Sequence, residues 1–361
     1  MSEGKGKRGY RLLFFLISLV LIPLLLMAGC GTSGKKSAGA EKGNESLPTA
    51  EESLRAEYWM YQDLGPVPVA VMNPLSPEKI ELGKKLFFDP RLSGDNSLSC
   101  ASCHSPEHGF TDGRPTAVGI RNQTGPRNAP TLINATYYKK FHLDGSVNSL
   151  EEQVLKPIQN PIEMGQNLAD LVKELKAVPG YVKEFNNVFQ GEITPERIAM
   201  AIAAFERTIV QRDTPFDRFM AGDDHALTQE QKLGMELFAN KGNCMVCHAG
   251  PTFSDNDYDN VGVDNGDLGR FLVTALEMDK GKFRTPQLRD LKYTAPYMHD
   301  GSMATLEEVI DHYDVAEHVN QYVSQDFVPL HLTKEEKKAL VSFLRDGLSG
   351  PPLRIDPPVL P

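Results

Sequence analysis

Cys100-Ala-Ser-Cys103-His104 and Cys244-Met-Val-Cys247-His248 repeat one spacing, C-x-x-C-H, within a single chain. That spacing is the attachment signature of c-type haem. Each thiol adds to a vinyl group, and the adjacent imidazole becomes the proximal ligand of the iron. Two thiols and one ring nitrogen must converge on one porphyrin edge and one axial site. Each motif therefore demands a compact pocket around a flat, largely apolar group. Cys100, Cys103, Cys244 and Cys247 are read as attachment residues for two haem c groups, with His104 and His248 as iron ligands. Disulfides within the pairs, or a zinc ion held by both dithiols, are the alternatives. Neither uses the trailing histidines.

The fifth cysteine, Cys30, concerns where the chain goes. Lys5, Lys7, Arg8 and Arg11 precede an almost wholly apolar run from Leu12 to Leu26, which closes with Met27-Ala28-Gly29-Cys30. A basic start, an apolar stretch and small residues before the cut are the pattern of an export signal. Small residues directly before a Cys resemble the bacterial lipoprotein signal. Residues 1–30 are then a signal peptide, Cys30 carries lipid, and the folded part is periplasmic and held at a membrane surface. An uncleaved anchor helix is the alternative. Residues 31–60, rich at first in Gly, Ser, Lys and Glu, read as a flexible tether. Lys and Arg number 38 against 48 Asp and Glu, a net charge of −10, which argues against nucleic acid as a partner.

Each haem motif is preceded by the same short pattern. Leu82-Gly83-Lys-Lys-Leu86-Phe87 leads to Cys100, and Leu233-Gly234-Met-Glu-Leu237-Phe238 leads to Cys244. Ser76-Pro77 and Thr228-Gln-Glu-Gln231 are helix-entry signals for the two segments. A glycine costs a helix about 1 kcal/mol relative to Ala, so its recurrence at matching places predicts close packing there. Ile198, Ile202, Phe205 and Ile209 share one helix face, and Thr333-Lys-Glu-Glu336 caps a helix carrying Leu340, Val341, Phe343 and Leu344. Strand signals are sparse. The expected fold is mainly α, with two cytochrome-c-like haem domains in tandem: residues 61–225, residues 226–350, and a tail over 351–361.

Several further segments carry a family likeness: Phe87-Phe-Asp-Pro-Arg-Leu-Ser93, Gly125-Pro-Arg-Asn-Ala-Pro-Thr131, Asp144-Gly145, Gln153, Gln159-Asn-Pro-Ile-Glu163-Met164, Arg284-Thr-Pro286 and Thr294-Ala-Pro-Tyr-Met-His-Asp-Gly301. With the haem motifs, and in this order from about residue 74 to 348, the chain resembles the bacterial di-haem cytochrome c peroxidase family, which includes the MauG-type enzymes. The resemblance implies that the first haem meets hydrogen peroxide and the second passes electrons to it. Glu163 and Gln153 correspond to the family's distal pair. A carboxylate can take a proton from one peroxide oxygen and return it to the other, while a neutral amide orients the peroxide without adding charge.

Three departures bear on the chemistry. Several family members close the first haem with a distal His sixteen residues past the proximal one. The residue here is Ile120, which cannot ligate iron and implies an open or water-bound site. His108 and His142 are the other imidazoles nearby in the sequence. At the second haem an axial Met is common. Its place corresponds to Tyr313, as in MauG-type members, with Met278, Met298 and His312 as the other candidates. A phenolate favours ferric iron, whereas a thioether raises the potential. The family's Trp between the haems is replaced by Leu143, and the only Trp of the chain is Trp59. Phe141, Tyr137 or Tyr138 could carry charge in its stead.

The resemblance also implies one calcium ion between the halves, held by the Asn128 side chain and the carbonyls of Thr294 and Pro296. It gives His299 a supporting role at the second haem. The expected function is peroxide reduction with electrons from a small donor protein, a cytochrome c or a cupredoxin. The alternatives are a MauG-type oxidase acting on Tyr or Trp side chains of a partner protein, and a non-catalytic di-haem electron carrier. Family members often form dimers, which makes a homodimer possible here.

Overall fold

The computed structural model describes residues 47–61 and 63–361. The expected signal peptide, Cys30 and the tether up to residue 46 lie outside the described residues. No helix among the described residues is long and apolar enough to cross a membrane.

The described residues are mainly helical, and the only ladder among them is a pair of two-residue strands, Tyr258–Asp259 antiparallel to Phe283–Arg284. Two helix pairs repeat one design. The Pro77–Phe87 helix packs on Pro195–Glu206, and the Gln229–Ala239 helix packs on Lys334–Ser342. The expected entry signals are present. Ser76 Oγ accepts from Lys79 N, and both Thr228/Gln231 and Thr333/Glu336 close reciprocal capping boxes.

The recurring glycines sit at the two closest approaches. A Cβ on Gly83 would lie 1.9 Å from the Ala201 carbonyl oxygen, and one on Gly234 would lie 2.0 Å from that of Ala339. In each pair the next obstacle is a Phe Cβ one turn along, on Phe205 and Phe343. The duplication read from the sequence is thus a duplication of packing.

Each pair anchors one hydrophobic cluster. The first joins Leu82, Leu86 and Phe87 to Ile198, Ile202, Phe205 and Ile209, all buried. The second gathers Phe216, Phe238, Phe253, Leu340 and Phe343. Two stretches differ from the expected layout. Within the segment read as tether, Thr49 and Glu52 form a capping box that starts the Ala50–Glu57 helix, and Tyr58 and Tyr61 beyond it are fully buried in the second cluster. Two aromatic rings offer enough apolar area to hold a short segment down, which the polar composition around them obscured. The tail also packs back: Leu353 and Ile355 lie on the first cluster, and Arg91 Nη2 donates to the Pro361 carbonyl at 3.2 Å.

Candidate functional site

Both C-x-x-C-H motifs fold into a tight turn, and both histidines are aimed the same way. His104 N–H donates to the Cys100 carbonyl and His248 N–H to that of Cys244, each at 2.9 Å. His104 Nδ1 bonds the Phe110 carbonyl at 3.1 Å, and His248 Nδ1 bonds the Phe253 carbonyl at 2.9 Å. Phe110 and Phe253 are buried and both left-handed, at φ 59° and 57°, so the same backbone kink presents the accepting carbonyl. With Nδ1 occupied, the free ring atom is Nε2. Burial pushes both imidazoles below their ordinary pKa, which keeps that nitrogen a lone-pair donor.

On the first motif, burial and then the carboxyls of Asp112 and Glu163 push the Cys103 thiol up to about 11, so Glu163 lies on the side of this cysteine. Burial raises the Glu163 carboxyl above the usual range, partly countered by Asn160, whose Nδ2 donates to Oε1 at 2.6 Å. Gln153 projects from the Leu150–Gln159 helix, and its Oε1 is buried with no hydrogen-bond partner. Ile120 is 4% exposed, and its N–H donates to the Glu163 carbonyl at 2.8 Å. A Cβ on the preceding Gly119 would lie 2.0 Å from the Ile162 carbonyl oxygen. The turn that holds Glu163 and the loop that holds Ile120 are therefore locked face to face. His108 is exposed, and His142 is engaged with Ser146 Oγ at 3.0 Å.

On the second motif a cavity of about 270 Å³ runs from Cys244, Cys247 and His248 to Tyr313. Leu288, Leu291, Leu306 and Ile310 form apolar walls. Tyr313 comes from the Leu306–Val315 helix and packs edge-on against Phe327, and its hydroxyl makes no hydrogen bond to a described residue. Burial, together with the two thiols, raises its pKa. Of the other candidates, Met278 is 66% exposed and His312 Nε2 is bound to the Val261 carbonyl at 2.7 Å. Met298 does line the cavity.

The donors left unpaired around this cavity test what it could hold. Arg284 and Arg289 line it and are buried. Arg284 Nε and Nη1 and Arg289 Nη2 find no acceptor, and neither does the Thr285 hydroxyl find a partner. Buried guanidinium N–H groups without partners are costly. Apolar walls with unpaired cationic donors at one side suit a flat apolar group bearing carboxylates, and haem is such a group. The zinc alternative has no site: among the described residues no three His, Cys, Asp or Glu side chains come together to hold a metal ion. The four described cysteines are free.

Asn128, from the first half, and Thr294 and Pro296, from the second, also line the cavity. Asn128 Nδ2 donates to the Arg114 carbonyl at 2.7 Å, which turns Oδ1 the other way. Asn128 N–H donates to the His299 carbonyl at 2.7 Å, and the His299 ring stacks on Phe283 at 3.8 Å. Leu143 and Tyr138 both line the cavity, the Tyr138 ring carries the Arg284 guanidinium 3.3 Å above it, and Trp59 is 67% exposed. Arg289 was not singled out from the sequence, and Arg284 and Arg127, which binds Asp144 at 2.7 Å and Asp267 at 2.6 Å, stood only within family-like segments with no role assigned. Their charge was visible, but their burial was not.

Residues 77–225 match the family described as di-haem cytochrome c peroxidase. The chain is 37% identical over 352 residues to methylamine utilization protein MauG of Methylorubrum extorquens, covering 95% of this chain and 99% of that one. It is 39% identical over 333 residues to cytochrome-c peroxidase IdrP1 of a Pseudomonas species, covering 82% and 88%. Among solved structures, a MauG-like protein associated with microbial copper homeostasis superposes with a TM-score of 0.74 at 34% identity, covering 79% of this chain and 93% of that one.

Proposed function

The chain belongs to the di-haem cytochrome c peroxidase family, and on that basis we propose that it reduces hydrogen peroxide to water at the first haem with electrons entering through the second. The overall change is H₂O₂ plus two electrons and two protons to two waters. The haem irons, when bound, supply the electron transfer and the cleavage of the O–O bond. The protein supplies proton handling and access. Asn160 engages Glu163 Oε1, which leaves Oε2 to take the proton from one peroxide oxygen and give it to the other. Burial raises the pKa of this carboxyl, which makes it a better proton acceptor than an exposed glutamate. Gln153 Oε1, buried and unpartnered, is available to the peroxide proton.

One observation carries the reading. Ile120 is buried and its backbone is bonded to the Glu163 turn, so the loop that elsewhere offers a closing imidazole offers an alkyl group fixed beside the acid. The test is steady-state peroxide consumption by the oxidised protein with reduced small cytochrome c as donor. Glu163→Gln should lower turnover about 10²-fold or more at unchanged haem content. Unchanged turnover would remove Glu163 from the mechanism.

The Tyr313 hydroxyl, with no hydrogen bond to a described residue in the second cavity, favours the MauG-type oxidase as second reading, in which Tyr313 and His248 would be the residues that hold the second iron. Leu143 counts against it. The reading also includes a calcium ion on Asn128 Oδ1 and the Thr294 and Pro296 carbonyls, oxygen donors suited to a hard cation. Export and lipid attachment at Cys30 would hold the enzyme at a membrane surface in the periplasm.

A further inference from the structure

Glu206 ends the Pro195–Glu206 helix and is 7% exposed. Its Oε2 is buried without any hydrogen-bond partner, although carboxylates almost never remain so. No step proposed above uses it. Cys100 packs against the hydrophobic cluster that contains Phe205, the residue before Glu206, and the Glu206 charge would raise that thiol, so the carboxylate sits near the cysteine where the first haem would attach. The charged groups of this region are already engaged by other partners. Arg207 donates through Nη1 and Nη2 to Glu151 at 2.7 and 3.2 Å, and through Nε to the Pro68 carbonyl. Lys79, on the helix packed against this one, donates to Asn73 Oδ1 and the Pro74 carbonyl. Cys100 carries no charge once its sulfur is a thioether. Glu206 is thus the uncommitted titratable group of this cluster.

We propose that Glu206 is the acid that exchanges a proton with solvent when the first haem changes oxidation state. The inference rests on the family's first haem being attached at Cys100 and Cys103. A ferric haem core carries one more positive charge than a ferrous one, and a buried carboxylate beside it is stabilised by that charge. When an external one-electron donor reduces the iron, the charge is lost and the carboxylate takes a proton to become the neutral acid. On oxidation the electron leaves and the proton is released. Burial already pushes this carboxyl up to about 8, against a lowering by Arg207, so the exchange falls in an accessible pH range. In peroxide reduction the device would bring a proton to the first haem with each arriving electron.

The experiment is a spectroelectrochemical titration of the first haem at several pH values, in the native di-haem protein and in Glu206→Gln, which has nearly the same shape and no charge. At low pH, where Glu206 is protonated in both oxidation states, the two potentials should agree. As pH rises the native potential should fall below that of the variant and the gap should widen until Glu206 is ionised in both states. Curves that stay parallel across the range overturn the proposal. Should Glu206→Gln lose haem, the native protein decides alone. Reduction in weakly buffered solution near pH 8 should take up about one proton per first haem, and no uptake overturns the proposal. Haem content and peroxide turnover, measured on the same samples, show separately whether the parent reading stands.

Discussion

Ile120 and Tyr313 are the two residues on which the proposed axial chemistry turns. At the first motif an alkyl group stands beside Glu163. At the second, a phenol that bonds to no described residue lines the cavity that His248 also lines. Replacing Tyr313 by Met should raise the potential of the second haem by a substantial fraction of the roughly 0.8 V that axial ligands span. Redox titration with the ferric spectrum checks this, and an unaltered spectrum and potential would mean that the tyrosine is not the ligand. The cysteines and the two histidines were legible from spacing alone, because covalent attachment fixes it. The roles proposed for Glu163, Gln153 and Tyr313 rest on the family resemblance, since a Glu or Tyr in a helical pattern carries no mark of what it faces. The burial of Arg284, Arg289 and Glu206 was not legible, because a charged residue is ordinarily solvated and only the fold buries these three.

At the scale of elements, the two helix crossings explain why the glycines recur. Gly83→Ala and Gly234→Ala would each press a methyl into a backbone carbonyl oxygen, at 1.9 and 2.0 Å, where no side-chain rotation relieves it. Each should destabilise by about 3 kcal/mol or more, the upper end of overpacking effects, as read from denaturant midpoints. A loss below about 1 kcal/mol would show that the helices separate freely. The duplicated motif and its glycine made these pairs readable in advance. The Ala50–Glu57 helix and the docking of Tyr58 and Tyr61 were not, because their partners Phe216 and Phe253 are far away in sequence and the local composition is polar.

At the scale of the whole molecule, Arg127 holds Asp144 of the first half and Asp267 of the second. Burial would raise both carboxyls, yet the guanidinium keeps them below the ordinary range. A depressed carboxyl contributes stability that is present above its unfolded pKa of about 3.9 and is lost as pH falls through the folded value. Arg127→Leu should therefore cost on the order of 2–3 kcal/mol at neutral pH, since it leaves two part-buried carboxylates unpaired. The gap to the native protein should close as pH falls below about 4. Unfolding curves across pH check both the size and the direction. Such a clamp ties together the halves that carry the two motifs, and fixed separation is what electron passage between them requires. The account depends above all on the first iron keeping a coordination site open without prior reduction. The most direct measurement is rapid mixing of the fully oxidised protein with hydrogen peroxide while the Soret band is followed. A high-spin component that changes at a rate proportional to peroxide concentration is the predicted result. Two low-spin haems that stay inert until an electron is supplied would mean that a protein atom fills the site, and would contradict it.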